Sequence, residues 1–180
     1  PAGVEGVLVT GALAADQAGV RRVATLGAGD ATPSRVFEQV TEEIGRLLEL
    51  PGANVMKLDG PRSATVVGAW SETGEPSFAV GATLELDGDT LVPRVVRTGT
   101  AQRVDRYEHA GGALAETLRE AGYRAGVAAP VTVGGTLWGV LAAATTSDDP
   151  LPVGLEQRLC DFADLVAQAL ANAETVSAAA

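Results

Sequence analysis

The chain has 180 residues, 46% of them apolar but only 4% aromatic, so it can bury the core of one ordinary domain with mostly small side chains. Its formal net charge of −10 argues against binding to nucleic acid or to anionic membranes, because both depend on Lys and Arg. A single cysteine excludes an intramolecular disulfide, and no apolar run reaches the roughly 18 residues that a membrane-spanning helix needs.

The first half of the chain predicts two helices and a hairpin. Residues 16–26 and 32–50 place apolar side chains at helical spacing, and Thr32-Pro33 suits the N-cap and first position of the second helix. Residues 53–58 and 64–70 are strand-like runs on either side of an Asp-Gly-Pro turn.

The middle of the chain predicts shorter elements. A weak alternation over residues 80–86 indicates a short strand, and residues 90–97 resemble a short helix with a proline in its first turn. A short strand is expected at residues 102–105 and a helix at residues 113–121.

A buried hairpin follows. Residues 127–133 and 137–141 are apolar strands joined by Gly134-Gly135, a two-residue hairpin turn. Pro130 argues against a regular ladder and predicts a bulge or an unpaired position.

The last helix, after Pro150 and Pro152, carries apolar residues in alternating steps of four and three, which is a heptad repeat. Over its first half, packing on the chain's own sheet explains the pattern as well as a coiled coil does. Past Ala169 we expect contact with a second copy. The predicted dimer residues are Leu155, Leu159, Phe162, Val166, Ala169, Ala173 and Val176.

The predicted order, with strands joined by hairpins and long helices at both ends, indicates an α+β domain with a largely antiparallel sheet. We expect this domain to span residues 16–176. Residues 1–15, which lack the basic start of a signal peptide, are expected to be a linker or extension, and residues 177–180 a tail leading to a downstream domain.

Three segments resemble the GAF domains of signalling proteins. AGVAAPVTVGGTLWGVL resembles the family's glycine-turn hairpin, LVPRVVRTGTAQRVDRY its short helix, Thr-Gly turn and strand, and LVAQALANAE its closing helix. The resemblance covers about residues 20–174. It implies a six-stranded antiparallel sheet with the N- and C-terminal helices on one face. On the other face it implies a pocket covered by a lid at about residues 84–123.

The resemblance also implies a function, a sensory or regulatory domain of a cytoplasmic signal-transduction protein, of the kind found in actinobacterial-style sensor histidine kinases. The domain would be a homodimer that binds an unidentified small molecule or relays a signal to a downstream output domain. A ligand-free dimerisation module, and a regulatory domain of a serine phosphatase or transcription regulator, are the alternatives. No nucleophile–base pair is found, so we expect no enzymatic activity from this chain.

Five candidate ligand contacts lie in or near the expected lid: Trp70, Arg103, Tyr107, His109 and Tyr123. Each has a structural alternative. Trp70 could cap the core, Arg103 could form a surface ion pair, and a lone loop histidine such as His109 is usually solvated.

No cofactor is expected from the sequence. Relatives that bind haem do so through a histidine that has no match in residues 117–122. Relatives that attach bilin use a cysteine beside a histidine or in an early segment, whereas Cys160 lies in the last helix and is expected to be an inert thiol. Neither haem nor bilin is therefore expected, and no Cys/His cluster with metal-ligand spacing is present.

Overall fold

The structure is a computed structural model that describes residues 18–19, 21–22 and 32–179, with side chains up to residue 174. Most of the helix predicted at residues 16–26 therefore lies outside the described residues. So do the predicted linker, residues 1–15, and the side chain of Val176.

A six-stranded sheet organises the chain. The elements are α1 (Pro33–Leu47), β1 (Gly52–Gly60), β2 (Ser63–Ser71), β3 (Thr83–Glu85), α2 (Leu91–Thr98), β4 (Gln102–Val104), α3 (Ala113–Glu120), β5 (Ala125–Val133), β6 (Thr136–Thr145) and α4 (Leu155–Ala179). The strand order is β3-β2-β1-β6-β5-β4, and every neighbouring pair is antiparallel. A 3₁₀ turn at Tyr107–His109 lies between β4 and α3.

The β5–β6 hairpin lies inside the sheet, and its turn forms as the sequence predicts. Gly134 and Gly135 have φ angles of 58° and 81°, the left-handed values that a tight two-residue turn requires. Pro130 pairs with Val140 of β6, while β4 begins opposite Ala128, so no β4 residue faces the position that lacks an N–H. A register shift follows directly after Val131, as expected for a strand that accommodates a proline.

The two long helices, α1 and α4, cover one face of the sheet. Leu155, Leu159, Phe162 and Val166 are at most 1% exposed and belong to the core that α4 forms with α1, β1, β5 and β6. These four side chains are occupied by the chain's own core, which explains the first half of the heptad pattern, and they are not available to a second copy.

The other face of the sheet packs against residues 84–123, which we call the lid. The lid contributes α2, the 3₁₀ turn and α3, and its apolar side chains form a second core with β1, β2, β5 and β6. The buried members from the lid are Leu91, Val92, Val95, Val104, Tyr107, Leu114 and Leu118. The α+β class, the six-stranded antiparallel sheet and the division of the helices between its two faces are confirmed.

A buried carboxylate joins the N-terminal part of the described chain to α1. The guanidinium of Arg22 donates two hydrogen bonds of 2.7 Å to the carboxylate of Glu43, which is only 7% exposed. Together with the Gln39 amide this pairing satisfies the buried charge and lowers the pKa of Glu43.

None of the helices in the described residues combines the length and apolarity needed to cross a bilayer.

Candidate functional site

A cavity lies between the sheet and the lid. Its floor comes from alternate residues of β1 and β6, among them Asn54, Met56 and Ala142, because every second side chain of a strand points to the same face. Its roof comes from the lid, and residues 76–78 of the β2–β3 loop line its edge. The cavity volume is about 50 Å³, well below the roughly 300–1,000 Å³ of sites for drug-sized ligands.

Small residues in the floor leave this space open. Ala69 of β2 and Ala142 and Ala144 of β6 line the cavity, and their side chains are single methyl groups. Gly52 belongs to the same floor, and a Cβ there would lie 2.5 Å from the Tyr123 hydroxyl. The alanine-rich composition of this chain thus makes room beneath the lid.

Tyr123 lies at the edge of the cavity beside the β2–β3 loop. The hydroxyl of Ser77 in that loop donates to the Tyr123 hydroxyl at 3.4 Å, a long and therefore weak hydrogen bond. The contact joins the loop to the end of the lid, and opening it would cost little free energy. The β2–β3 loop is thus held to the end of the lid by one weak hydrogen bond.

Hydrogen bonds within the lid hold its helix α3 and its 3₁₀ turn in place. The Asp87 carboxylate accepts hydrogen bonds from the backbone N–H groups of Ala113 and Leu114, at 2.9 and 3.1 Å, and so caps the N-terminus of α3. These two bonds lower the pKa of Asp87. Arg119 donates to the carbonyl oxygens of Tyr107 and Ala110, which holds the 3₁₀ turn against α3.

Tyr107 closes the roof and is only 1% exposed. Its hydroxyl lies so close to β5 that a Cβ at Gly126 would be 2.6 Å from it. Burial raises the pKa of Tyr107, so the hydroxyl stays protonated and neutral at physiological pH. It can therefore donate or accept a hydrogen bond, but it cannot act as a base.

Two polar side chains of the cavity wall have unused hydrogen-bonding atoms. The Thr90 hydroxyl and the Asn54 Oδ1 are buried without a hydrogen-bond partner, and Thr90 is 1% exposed. They are the two buried side-chain atoms without a partner among the described residues. Unpaired buried polar atoms are rare in folded proteins and costly, so a pair of them in one cavity marks a place where a ligand would bind.

The wall of the cavity is mostly apolar. The residues that line it within the described chain include no Cys, His, Asp, Glu, Lys or Arg. The described ranges also contain no group of three or more His, Cys, Asp or Glu placed to hold a metal ion. The wall offers apolar surface and a few neutral polar groups, which is the composition of a small-molecule binding site.

The structure brings together three of the five predicted contact residues. Trp70, Tyr107 and Tyr123 line the cavity. The ring of Trp70, however, packs against α1 on the opposite face of the sheet, where a methyl group at Gly45 would collide with it.

Arg103 and His109 lie outside the cavity lining. Arg103 on edge strand β4 binds Glu156 of α4 and the carbonyl oxygens of Leu151 and Pro152. The side chain of His109 is 74% exposed, next to Glu108. Their role as ligand contacts stays a prediction that the cavity does not support.

Sequence reasoning missed Asn54 and Thr90. Asn54 stands in the middle of an apolar strand, and this break in composition was the available signal. Thr90 precedes Leu91 in an N-cap position, but its side chain makes no capping bond to α2. The sequence does not reveal that the hydroxyl is left without a partner, since Thr at an N-cap normally bonds to its own helix.

Cys160 lies far along the chain from these residues, on α4. Its side chain is half-buried against the core between α1, α4 and the sheet. Burial raises the pKa of the thiol, and the nearby carboxylates of Asp164 and Asp161 add to the rise. The thiol is therefore mostly protonated at neutral pH.

Solved structures with the same fold include photoreceptor domains. The phycocyanobilin-bound GAF domain of a cyanobacterial phytochrome matches with a TM-score of 0.75 and 16% identity, over 89% of this chain and 96% of that one. The GAF domain of A. aeolicus Nlh2 in an inactive state matches with a TM-score of 0.69 and 16% identity, over 88% and 97%.

The chromophore-binding domain of Stigmatella aurantiaca bacteriophytochrome (Thr289His mutant, in the Pr state) matches with a TM-score of 0.67 and 14% identity, over 87% of this chain. This chain spans 60% of that domain's length. At these identities the likeness shows the fold alone.

The expectation that no cofactor is bound, with haem and bilin not expected, is contradicted by these comparisons. Domains of this fold hold phycocyanobilin in one solved structure and phycoerythrobilin in another. The absence of the expected cysteine and histidine motifs from the sequence is therefore no ground for excluding a bilin.

No curated protein matches the chain. The family model described as GAF domain matches residues 32–173, which is most of the chain and includes every strand and helix from α1 to the greater part of α4. Because the match covers well over half of the sequence, and the fold agrees with it, the chain belongs to the GAF domain family.

Proposed function

We propose that this chain is a sensory or regulatory domain that binds a small molecule beneath its lid and passes the effect to α4. The observation that carries the proposal is the cavity, which combines an apolar wall with two buried polar atoms that lack partners. A ligand that satisfies those atoms would bind the closed lid more tightly than the open one. Such differential binding is what a conformational signal requires.

A route from the lid to α4 supports the second half of the proposal. Asp89, just before α2, pairs with Arg94 and Arg97, and Arg94 also donates to the backbone carbonyl of Arg103 at 3.4 Å. The Arg103 side chain then holds Glu156 in the first turn of α4. A shift of α2 on ligand binding would therefore move β4 and, through it, the start of α4.

The output of the signal belongs to a larger protein in this proposal. We take the parent to be a cytoplasmic sensor histidine kinase, with a serine phosphatase regulator or transcription regulator as the alternatives, on the strength of the resemblance in sequence. Dimer contacts would come from the end of α4, where Ala169 and Ala173 are only partly buried.

A bilin is one candidate ligand, since neighbours of the same fold carry bilins. The described lining residues offer apolar walls and neutral polar groups but no thiol, so this chain would hold a bilin without a covalent bond from the cavity wall. Because the cavity measures about 50 Å³, the lid and residues 76–78 would have to move outward to admit one.

Native mass spectrometry with absorption spectroscopy tests the proposal. The chain would be purified from a host with and without a supply of phycocyanobilin, as wild type, as Ala142→Val and as Ala129→Val. Ala142→Val adds two methyl groups to the cavity floor, whereas Ala129→Val adds the same groups on the sheet face that α1 and α4 cover.

We expect a small molecule to be retained by the wild type and by Ala129→Val, and to be lost from Ala142→Val. Circular dichroism would check that both variants are folded. A wild type that retains nothing, or an Ala142→Val variant that retains the molecule as well as the wild type, would favour the ligand-free dimerisation module instead.

A further inference from the structure

Three polar features line this one small cavity. Thr90 is the N-cap residue of α2, yet its hydroxyl makes no bond to the helix and none to any other group. The backbone N–H groups of Leu91 and Val92 follow it in the first turn, where no preceding helical carbonyl can accept from them, and both residues line the cavity. Asn54 contributes an unpaired acceptor, Oδ1, from the sheet below.

These features call for opposite hydrogen-bonding groups on a ligand. The N-terminus of a helix attracts an oxygen with partial negative charge, and the Thr90 hydroxyl can donate to the same oxygen. The Asn54 oxygen accepts, so it needs an N–H or O–H donor. A ligand that carries a donor beside a carbonyl oxygen would satisfy both sides at once.

The charge of the surroundings restricts the ligand further. No ionisable side chain other than Tyr107 and Tyr123 lines the cavity among the described residues, so a charged ligand would have no counter-charge and would lose its hydration. The net charge of −10 adds an unfavourable potential for anions. The small volume excludes a bulky molecule as long as the lid stays closed.

We infer that the cavity of the closed domain takes a small uncharged molecule with an N–H donor next to a carbonyl oxygen, the arrangement of a lactam or cyclic imide, with the N–H on Asn54 and the carbonyl at Thr90 and the start of α2. This inference rests on the proposed function, because it names the ligand class of the same site.

A titration followed by NMR of the ¹⁵N-labelled chain tests the inference with four probes. The first is 2-pyrrolidinone, a five-membered lactam. N-methyl-2-pyrrolidinone has the same ring and carbonyl without the donor, cyclopentanone lacks the nitrogen, and acetate supplies an anion of similar size. The readout is the dissociation constant from the amide shifts of Asn54, Thr90 and Leu91.

We expect 2-pyrrolidinone to bind about tenfold more tightly than its N-methyl derivative or cyclopentanone, the equivalent of one hydrogen bond to a buried acceptor. Acetate should not bind. Equal affinities for the lactam and its N-methyl derivative, or tighter binding of acetate, would overturn the ligand class while leaving the cavity as a binding site. Failure of all four probes to shift these resonances would count against both the ligand class and the proposed function.

Two variants assign the contacts. Thr90→Val keeps the shape of the side chain and removes the hydroxyl, so it should weaken lactam binding about tenfold without loss of stability, since that hydroxyl has no partner to lose. Asn54→Leu should abolish the preference for the lactam over its N-methyl derivative, whatever the absolute affinities. Unchanged affinity in Thr90→Val together with unchanged preference in Asn54→Leu would contradict the inference.

Thr41→Val is the matched control for Thr90→Val. The Thr41 side chain is also buried, but its hydroxyl donates to backbone carbonyls of α1 at 3.0 Å, on the face of the sheet away from the cavity. This variant should bind the lactam as the wild type does. A tenfold loss of affinity in Thr41→Val would show that the effect is not specific to the cavity.

Discussion

The ends of α1 and α2 each depend on one residue with a positive φ angle. Glu49, just after α1, has a φ of 53°, the one positive φ outside glycine among the described residues. The value lets the chain turn so that the Leu50 N–H can donate to the carbonyl oxygen of Gly45 at 3.0 Å. At the end of α2, Gly99 adopts the positive φ, 67°, and its N–H donates to the carbonyl oxygen of Val95.

This contrast predicts opposite effects of two substitutions. Glu49→Gly should raise the free energy of unfolding by about 0.5–1 kcal/mol, because glycine adopts a positive φ without a steric penalty. Gly99→Ala should lower it by about 1 kcal/mol for the same reason. Urea unfolding of the two variants beside the wild type measures both. Movement of the two values in the same direction would show that φ is not the controlling factor.

At the scale of elements, the junction between β4 and α4 depends on one guanidinium. Arg103 bonds to the Glu156 carboxylate, to the Leu151 carbonyl at 3.0 Å and to the Pro152 carbonyl at 2.5 Å. The side chains of Arg103 and Glu156 are 21% and 28% exposed, so water screens the pair only partly. The bonds therefore fix the loop from β6 and the first turn of α4 against the edge of the sheet.

The pair predicts a pH-dependent stability. Hydrogen bonds from Arg103 hold the pKa of Glu156 below its ordinary value of 4.5. A lowered pKa means that the pair stabilises the fold above about pH 4.5 and that this stabilisation is lost as the pH falls through the lower folded-state value.

Glu156→Gln should therefore cost about 1 kcal/mol of unfolding free energy at about pH 7, and this difference from the wild type should shrink as the pH falls below the ordinary pKa of the carboxyl group. Urea unfolding at several pH values measures it. Glu75→Gln, at an exposed position of the β2–β3 loop, should leave the unfolding free energy unchanged across the same pH series. A penalty for Glu156→Gln that does not change with pH would mean that the ion pair is not its cause.

Periodicity and turn chemistry were sufficient to predict most elements. Pro33 begins α1, Gly134 and Gly135 form the hairpin turn, and Gly122, with a φ of 87°, follows the end of α3. These signals depend on neighbouring residues in the sequence, so they can be recognised without knowledge of the fold. The Asp87 cap on α3 joins residues 26 positions apart, and no local pattern encodes such a contact.

The candidate site was less predictable than the fold. Aromatic residues near the lid were reasonable candidates, and Tyr107 and Tyr123 do line the cavity. The ring of Trp70 packs on the other face because β2 shifts its register against β1 between Val55 and Met56, which changes the face of each later side chain. A register shift of this kind depends on pairing between strands, which the sequence of one strand does not contain.

At the scale of the whole molecule, α4 serves two roles at different positions. Phe162 is 1% exposed in the core, so Phe162→Ala should lower the unfolding free energy by about 3–5 kcal/mol. Ala173 lies farther along the helix and is only partly buried, so Ala173→Glu should leave the stability of the domain nearly unchanged while weakening a dimer. Sedimentation equilibrium and urea unfolding separate the two effects. A wild type that remains monomeric at high concentration would refute the predicted dimer.

The central claim is that occupancy of the cavity changes α4. Amide hydrogen exchange of the whole chain, with and without saturating 2-pyrrolidinone, tests it most directly. With the ligand bound, we predict slower amide exchange of the wild type in the lid and in residues 155–160 of α4. In Arg103→Gln we predict that the ligand still slows exchange in the lid but no longer slows it in α4. Exchange in α4 that does not respond to a ligand bound beneath the lid would contradict the account.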